Sequence, residues 1–279
     1  MPDQSPGQAR AARSGAKELL GDFLRCLRFY SRLPVPVLSS DMDPYGPPDF
    51  ATMPRVVPFA GAVIGCVAAL VLLTASALGF GVWLCAALAV AALTLATGAL
   101  HEDGLADAAD GLGGGSTPER RLEIMKDSRI GSYGGAALIL AYLLRIACLG
   151  EILARLGPFG AAAALVLVAA LSRTAGLVLM TLLPPARMVG SAYAAGQPEP
   201  GVVIVAWLVC AALALAAGIA TPLPWLGLLL AFLFAGAVAL AMTRLSARLI
   251  GGQTGDVGGA IQQLAEIVAY LGLLIAARP

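Results

Sequence analysis

The chain has 279 residues, of which 59% are hydrophobic, 13% charged and 6% aromatic, and its mean hydropathy is +0.84. Soluble domains carry about 25% charged residues, so a soluble globular fold is excluded and a membrane protein is expected. With 18 Lys and Arg against 17 Asp and Glu, the net charge of +1 leaves no basic field for nucleic acid, and a single histidine excludes multi-histidine metal centres.

In chain order, residues 1–16 are rich in Gly, Pro, Ser and Ala, lack the apolar run of a signal peptide and read as a disordered extension. Residues 17–279 read as one membrane-embedded domain. From about Lys17 to Ser31, Arg25, Arg28 and Arg32 recur at i, i+3 and i+7 among Phe23, Leu24, Leu27 and Tyr30. That spacing predicts an interfacial helix, ended by Leu33-Pro34-Val35-Pro36 because proline cannot continue a helix. Ser39–Asp49 reads as a loop.

Seven apolar segments approach the roughly 20 residues that span a bilayer. They are Val56–Leu78, Trp83–Leu100, Ala136–Leu156, Ala161–Leu183, Val202–Thr221, Leu223–Met242 and Ala260–Ala277. An all-α polytopic bundle of about seven transmembrane helices follows. The five cysteines form no CxxC pair and read as buried, reduced residues. With the N-terminus inside, segments 1–55, 101–135, 184–201 and 243–259 hold seven, four, one and two basic residues, whereas the outer side holds only Arg155 and Arg278. This asymmetry predicts a cytoplasmic N-terminus, with the polar motifs facing the cytoplasm.

The first motif is His101-Glu102-Asp103-Gly104-Leu105-Ala106-Asp107-Ala108-Ala109-Asp110-Gly111. Asp103, Asp107 and Asp110 stand at i, i+4 and i+7, on one face of a helix, where like charges repel unless a cation neutralises them. Carboxylates without thiolates favour Mg²⁺ or Mn²⁺. The competing reading is a solvated acidic loop, against which the regular spacing argues. Next, Thr117-Pro118 starts a helix over Glu119–Asp127, and Ser116 with Glu119 also fits a capping box. Asp127 is a fourth candidate ligand there, and Lys126 and Arg129 are candidate phosphate partners, unless this is an ordinary charged helix.

The second motif, Gly251-Gly252-Gln253-Thr254-Gly255-Asp256, precedes the last span. Its glycines permit close approach of backbone to a ligand, or simply a hinge. It is no Walker A loop, because neither Lys17 nor Lys126 follows a glycine. Glu266 is a further polar group on the last span. Arg145 and Arg173 fall at similar depths in adjacent spans, where a charge costs roughly 2.5–3.5 kcal/mol on insertion scales. Two guanidiniums suit a diphosphate; for Arg145 the alternative is a structural pair with Glu151 or another buried acid. Metal ions beside phosphate ligands suit in-line phosphoryl transfer, with a carboxylate or His101 taking the proton.

These residues resemble the cobalamin synthase family, the membrane-embedded adenosylcobinamide-GDP ribazoletransferases. The matching stretches are Ser31–Pro36, His101–Gly111, Leu122–Gly131, Ser172-Arg173 and Gly251–Asp256. One departure is Glu102, where family members often carry leucine; it is expected to add an acid beside the metal site. The resemblance implies a Mg²⁺-dependent catalytic domain in the bacterial cell membrane. In the implied reaction, the 3′-hydroxyl of α-ribazole, or of its 5′-phosphate, attacks adenosylcobinamide-GDP and releases GMP. It further implies association with other cobalamin-assembly enzymes. Carried over, Asp103, Asp107, Asp110 and Asp127 are the expected metal ligands and Asp103 or His101 the base. Lys126, Arg129, Arg173, Arg145 and, more weakly, Arg32 would bind phosphate, and Gln253, Thr254 and Asp256 would hold substrate. A partial DxxDG likeness at Asp107–Gly111 makes another CDP-alcohol-type phosphotransferase the alternative. A transporter using the intramembrane arginines is a third reading, without the internal repeat it would call for.

Overall fold

The computed structural model describes residues 15–37, 49–187 and 196–277. The expected N-terminal extension, but for its last two residues, and all but the end of the 39–49 loop lie outside these. Helix α1 (Ala16–Tyr30) and a 3₁₀ turn (Met53–Val56) precede α2 (Val57–Ala77), α3 (Val82–Thr97), α4 (Leu100–Gly114) and α5 (Pro118–Ile124). Then come α6 (Ser132–Leu182), α7 (Pro200–Ala220), α8 (Trp225–Ile250) and α9 (Gly255–Ala276).

Among the described residues five helices are long and apolar enough to cross a membrane, and α3 with α4, bent by 88°, makes a sixth candidate. The 51 residues of helix α6 would extend about 76 Å, more than twice the ~30 Å hydrocarbon core. It breaks at Gly157, whose φ of 71° and ψ of 178° are open to glycine, just before Pro158. The two limbs, 132–156 and 158–182, fold back on each other. Arg145 of the first limb bonds Glu266, whereas Ser172 of the second accepts a hydrogen bond from Gln262, one turn away on α9. The two limbs therefore correspond to two of the expected apolar segments.

The predicted span at Trp83–Leu100 ends early. The chain turns at Gly98 (φ 64°) and Ala99 (φ 58°), both left-handed, and α4 leaves at the 88° bend with its four acids. We therefore read α4 as lying outside the spanning segments.

Lipid offers no hydrophobic drive for helix association, so close packing of small residues must supply it. Gly61 and Gly65, four residues apart on α2, meet the second limb of α6. A Cβ at Gly61 would lie 2.7 Å from the Ala169 carbonyl oxygen, and one at Gly65 would lie 2.8 Å from the Val166 Cα. Helix α9 is central, packing on α4, α6 and α8. The segments predicted to share a membrane side gather at one end of the bundle. Arg32 N–H reaches the Ala96 carbonyl, Arg121 reaches Leu249, and Gln253 pairs with Pro184 and Ala186. At the other end, Arg155 reaches the Ala277 carbonyl.

Candidate active site

A cavity of about 310 Å³ opens at the polar end, among α1, α4, the second limb of α6 and the start of α9. Its polar wall comprises His101, Asp103, Arg173, Gln253, Thr254, Asp256 and Gln262; Phe29, Tyr30, Phe50 and Met180 supply apolar surface. The structure thus brings both sequence motifs and one intramembrane arginine to a single place. The aromatic wall and Gln262 were not foreseen from the sequence: Tyr30 reads there only as part of the apolar face of an interfacial helix, and Phe29 was not singled out.

The second motif is a fixed turn rather than a hinge. Gly251 closes α8 in a left-handed conformation (φ 72°), and Ser246 Oγ donates to the Gly252 carbonyl at 2.6 Å. Gln253 forms an isolated parallel bridge with Pro185. Its N–H donates to the Pro184 carbonyl (2.8 Å) and its carbonyl accepts from the Ala186 N–H (2.9 Å). Thr254 Oγ1 caps α9 by accepting from the Val257 N–H. Gly104 and Gly259 then let α4 and α9 cross, each standing 3.2 Å from where the other's Cβ would be.

This crossing sets Asp103 and Asp107 beside Asp256. Partial burial and the charges of Asp103, Asp256 and Asp110 push Asp107 up to about 6, against an opposing pull from Arg187. Among the described residues no three His, Cys, Asp or Glu side chains form a ready-made metal cage. The donor set suits Mg²⁺, which is commonly held by one or two carboxylates together with substrate phosphates and water. Of the buried donors without a partner among the described residues, Arg173 Nε and Gln253 Nε2 belong to residues lining this cavity. Arg173 is only 2% exposed, and its Nη1 donates to the Ala169 carbonyl. His101 stacks on Tyr30, ring centroids 5.7 Å apart.

Other predicted residues stand elsewhere. The Asp110 carboxylate accepts from the backbone N–H of Gly131 (2.7 Å) and Gly134 (2.9 Å). It therefore anchors the start of α6, where the helix dipole favours an anion. A Cβ at either glycine would overlap that carboxylate. Asp127 is clasped by the Arg129 guanidinium, which holds its carboxyl down at about 2. Asp127, Lys126 and Arg129 line neither this cavity nor its neighbour. Thr117, rather than the Ser116 box, caps α5.

Arg145, an expected phosphate ligand, lines neither cavity and is engaged inside the bundle instead. At 1% exposure it donates to Glu266 (2.8 Å), Glu102 (2.8 Å) and Gln263 (3.1 Å). Glu151 pairs with Arg155 instead. Glu102 therefore turns into the bundle rather than joining a metal site, and Thr94 donates to it. Gln262 links this network to the cavity, donating to Glu266 and to Ser172, both at 3.0 Å.

The cobalamin-5-phosphate synthase family profile matches residues 22–274. The chain belongs to that family. The matched stretch contains every residue lining the cavity. Among similar proteins, the adenosylcobinamide-GDP ribazoletransferase of Azorhizobium caulinodans is 52% identical over 266 residues, covering 94% of this chain and 98% of that protein. That of Xanthobacter autotrophicus is also 52% identical, covering 91% and 96%. That of Rhizobium meliloti is 44% identical, covering 92% and 97%. No solved structure matches the chain.

Proposed function

We propose that this multi-pass membrane protein joins adenosylcobinamide-GDP to α-ribazole, or to its 5′-phosphate, in the last assembly step of cobalamin. The observation that carries this reading beyond family membership is the make-up of one cavity. Two buried, unpartnered donors, Arg173 Nε and Gln253 Nε2, belong to the same wall as the carboxylates Asp103 and Asp256. Donors of that kind suit phosphate oxygens, and the acids suit a divalent cation.

In the proposed reaction the acceptor 3′-oxygen bonds to the phosphorus that carries cobinamide. The bond from that phosphorus to the bridging oxygen breaks, and GMP leaves with that oxygen. Arg173 and Gln253 hold the diphosphate. Asp103 or His101 accepts the proton of the 3′-hydroxyl, since both line the cavity. Mg²⁺ held by Asp103, Asp107 and Asp256 would supply charge neutralisation at the phosphates. A cavity of about 310 Å³ is at the small end for ligand sites, so the corrinoid ring stays outside it and only the reacting end enters. The basic-residue asymmetry supports a cytoplasmic face for this end of the bundle, in a bacterial cell membrane.

The test is GMP release from proteoliposomes given adenosylcobinamide-GDP, α-ribazole and Mg²⁺. Release of GMP that stops on chelation is the expected result. Silence from folded protein with both substrates, or turnover of CDP-diacylglycerol in their place, overturns the reading.

A further inference from the structure

A second cavity, of about 400 Å³, adjoins the first. Arg28 and Arg32 line it beside Gly98, Ala99, Leu100 and Asp103, and Leu100 and Asp103 also line the first cavity. Arg32 was a candidate for the diphosphate, yet it lies outside the diphosphate cavity.

We propose that this arginine-lined cavity is a second anion subsite, which takes the 5′-phosphate of the acceptor and makes Arg32 a specificity-determining residue. Three observations carry it. First, Arg32 is exposed, and among the described residues its guanidinium has no hydrogen-bond or ion-pair partner, whereas Arg28, the other arginine of this cavity, donates to the Pro36 carbonyl. Second, Arg32 lies over Gly98: its Nε is 2.6 Å from where a Cβ would stand, so a side chain there would displace the arginine from this position. The next residue, Ala99, holds a left-handed conformation without being glycine, and such strain concentrates at functional sites. Third, the two cavities meet at Asp103. A nucleoside phosphate carries its 3′-hydroxyl and 5′-phosphate on opposite sides of one ribose. With the hydroxyl at Asp103, facing the diphosphate, the 5′-phosphate falls on the Arg32 side. Arginine matches a phosphate bidentately.

This inference rests on the proposed acceptor chemistry, so its test has two independent arms. In proteoliposomes, kcat/KM is compared for α-ribazole 5′-phosphate and α-ribazole. Arg32→Ala is expected to lower the preference for the phosphorylated acceptor at least about tenfold, through KM, as loss of a charged hydrogen-bond pair would; Arg32→Lys is expected to restore part of it. An unchanged preference overturns the proposal, including one accompanied by equal losses with both acceptors. The second arm needs no turnover. Thermal stabilisation of the purified wild-type protein by α-ribazole 5′-phosphate is expected to exceed that by α-ribazole, and ribose 5-phosphate is expected to compete with it. Equal stabilisation by the two acceptors overturns the subsite, even if Arg32→Ala does not fold. Wild-type protein that binds the phosphorylated acceptor selectively but releases no GMP upholds the subsite and overturns the proposed reaction.

Discussion

Asp107 sits one turn beyond Asp103 on α4, half-buried and pushed up to about 6 by burial and neighbouring carboxylates. A bound cation would reverse that penalty. Asp107→Ala should therefore cut GMP release by roughly 10³-fold, the scale of several kcal/mol of lost charge stabilisation, while the protein still inserts. Activity equal to wild type at equal membrane content would remove Asp107 from the cation's ligands. Arg145 presents the opposite case, a charge whose partners are wholly internal. Glu266→Ala leaves its guanidinium undercompensated in a dry core and should cost about 3–5 kcal/mol, read as a lowered unfolding midpoint in detergent. If the midpoint stays put, the pair contributes nothing to stability. The acid cluster and the intramembrane arginines were legible from spacing and from the cost of burying charge. The partners of Arg145 were not, because Glu102 and Glu266 approach it only once α4, α6 and α9 have packed.

At the scale of elements, Asp110 joins α4 to the start of α6 through the N–H groups of Gly131 and Gly134. A cap of this kind is worth about 1–2 kcal/mol. Asp110→Ala should thus lower the unfolding midpoint while leaving the Mg²⁺ concentration for half-maximal activity unchanged. A raised Mg²⁺ requirement with an unchanged midpoint would make Asp110 a metal ligand after all. The apolar segments were readable because bilayer thickness fixes helix length, and Gly157-Pro158 marks the break in α6. The right-angled turn after α3 was hidden, since a left-handed Ala99 has no compositional signature. The spacing of Asp103, Asp107 and Asp110 did give the helix, but it could not tell which of them would be drawn to the α6 terminus.

For the whole molecule, the gathering of α4, α5 and the 184–187 and 251–256 segments at one end makes orientation testable. In a cysteine-free background, Ser116→Cys should react with a membrane-impermeant maleimide in inverted vesicles and resist it in right-side-out ones; the reverse pattern would invert the topology. The β-type rung between Pro185 and Gln253 has a kinetic meaning as well. Two backbone hydrogen bonds strap the glycine-rich turn to a distant stretch of chain, so the amides of Gln253 and Ala186 should exchange with deuterium slowly, as part of the framework. The turn that forms one side of the cavity is then a strut and not a flap.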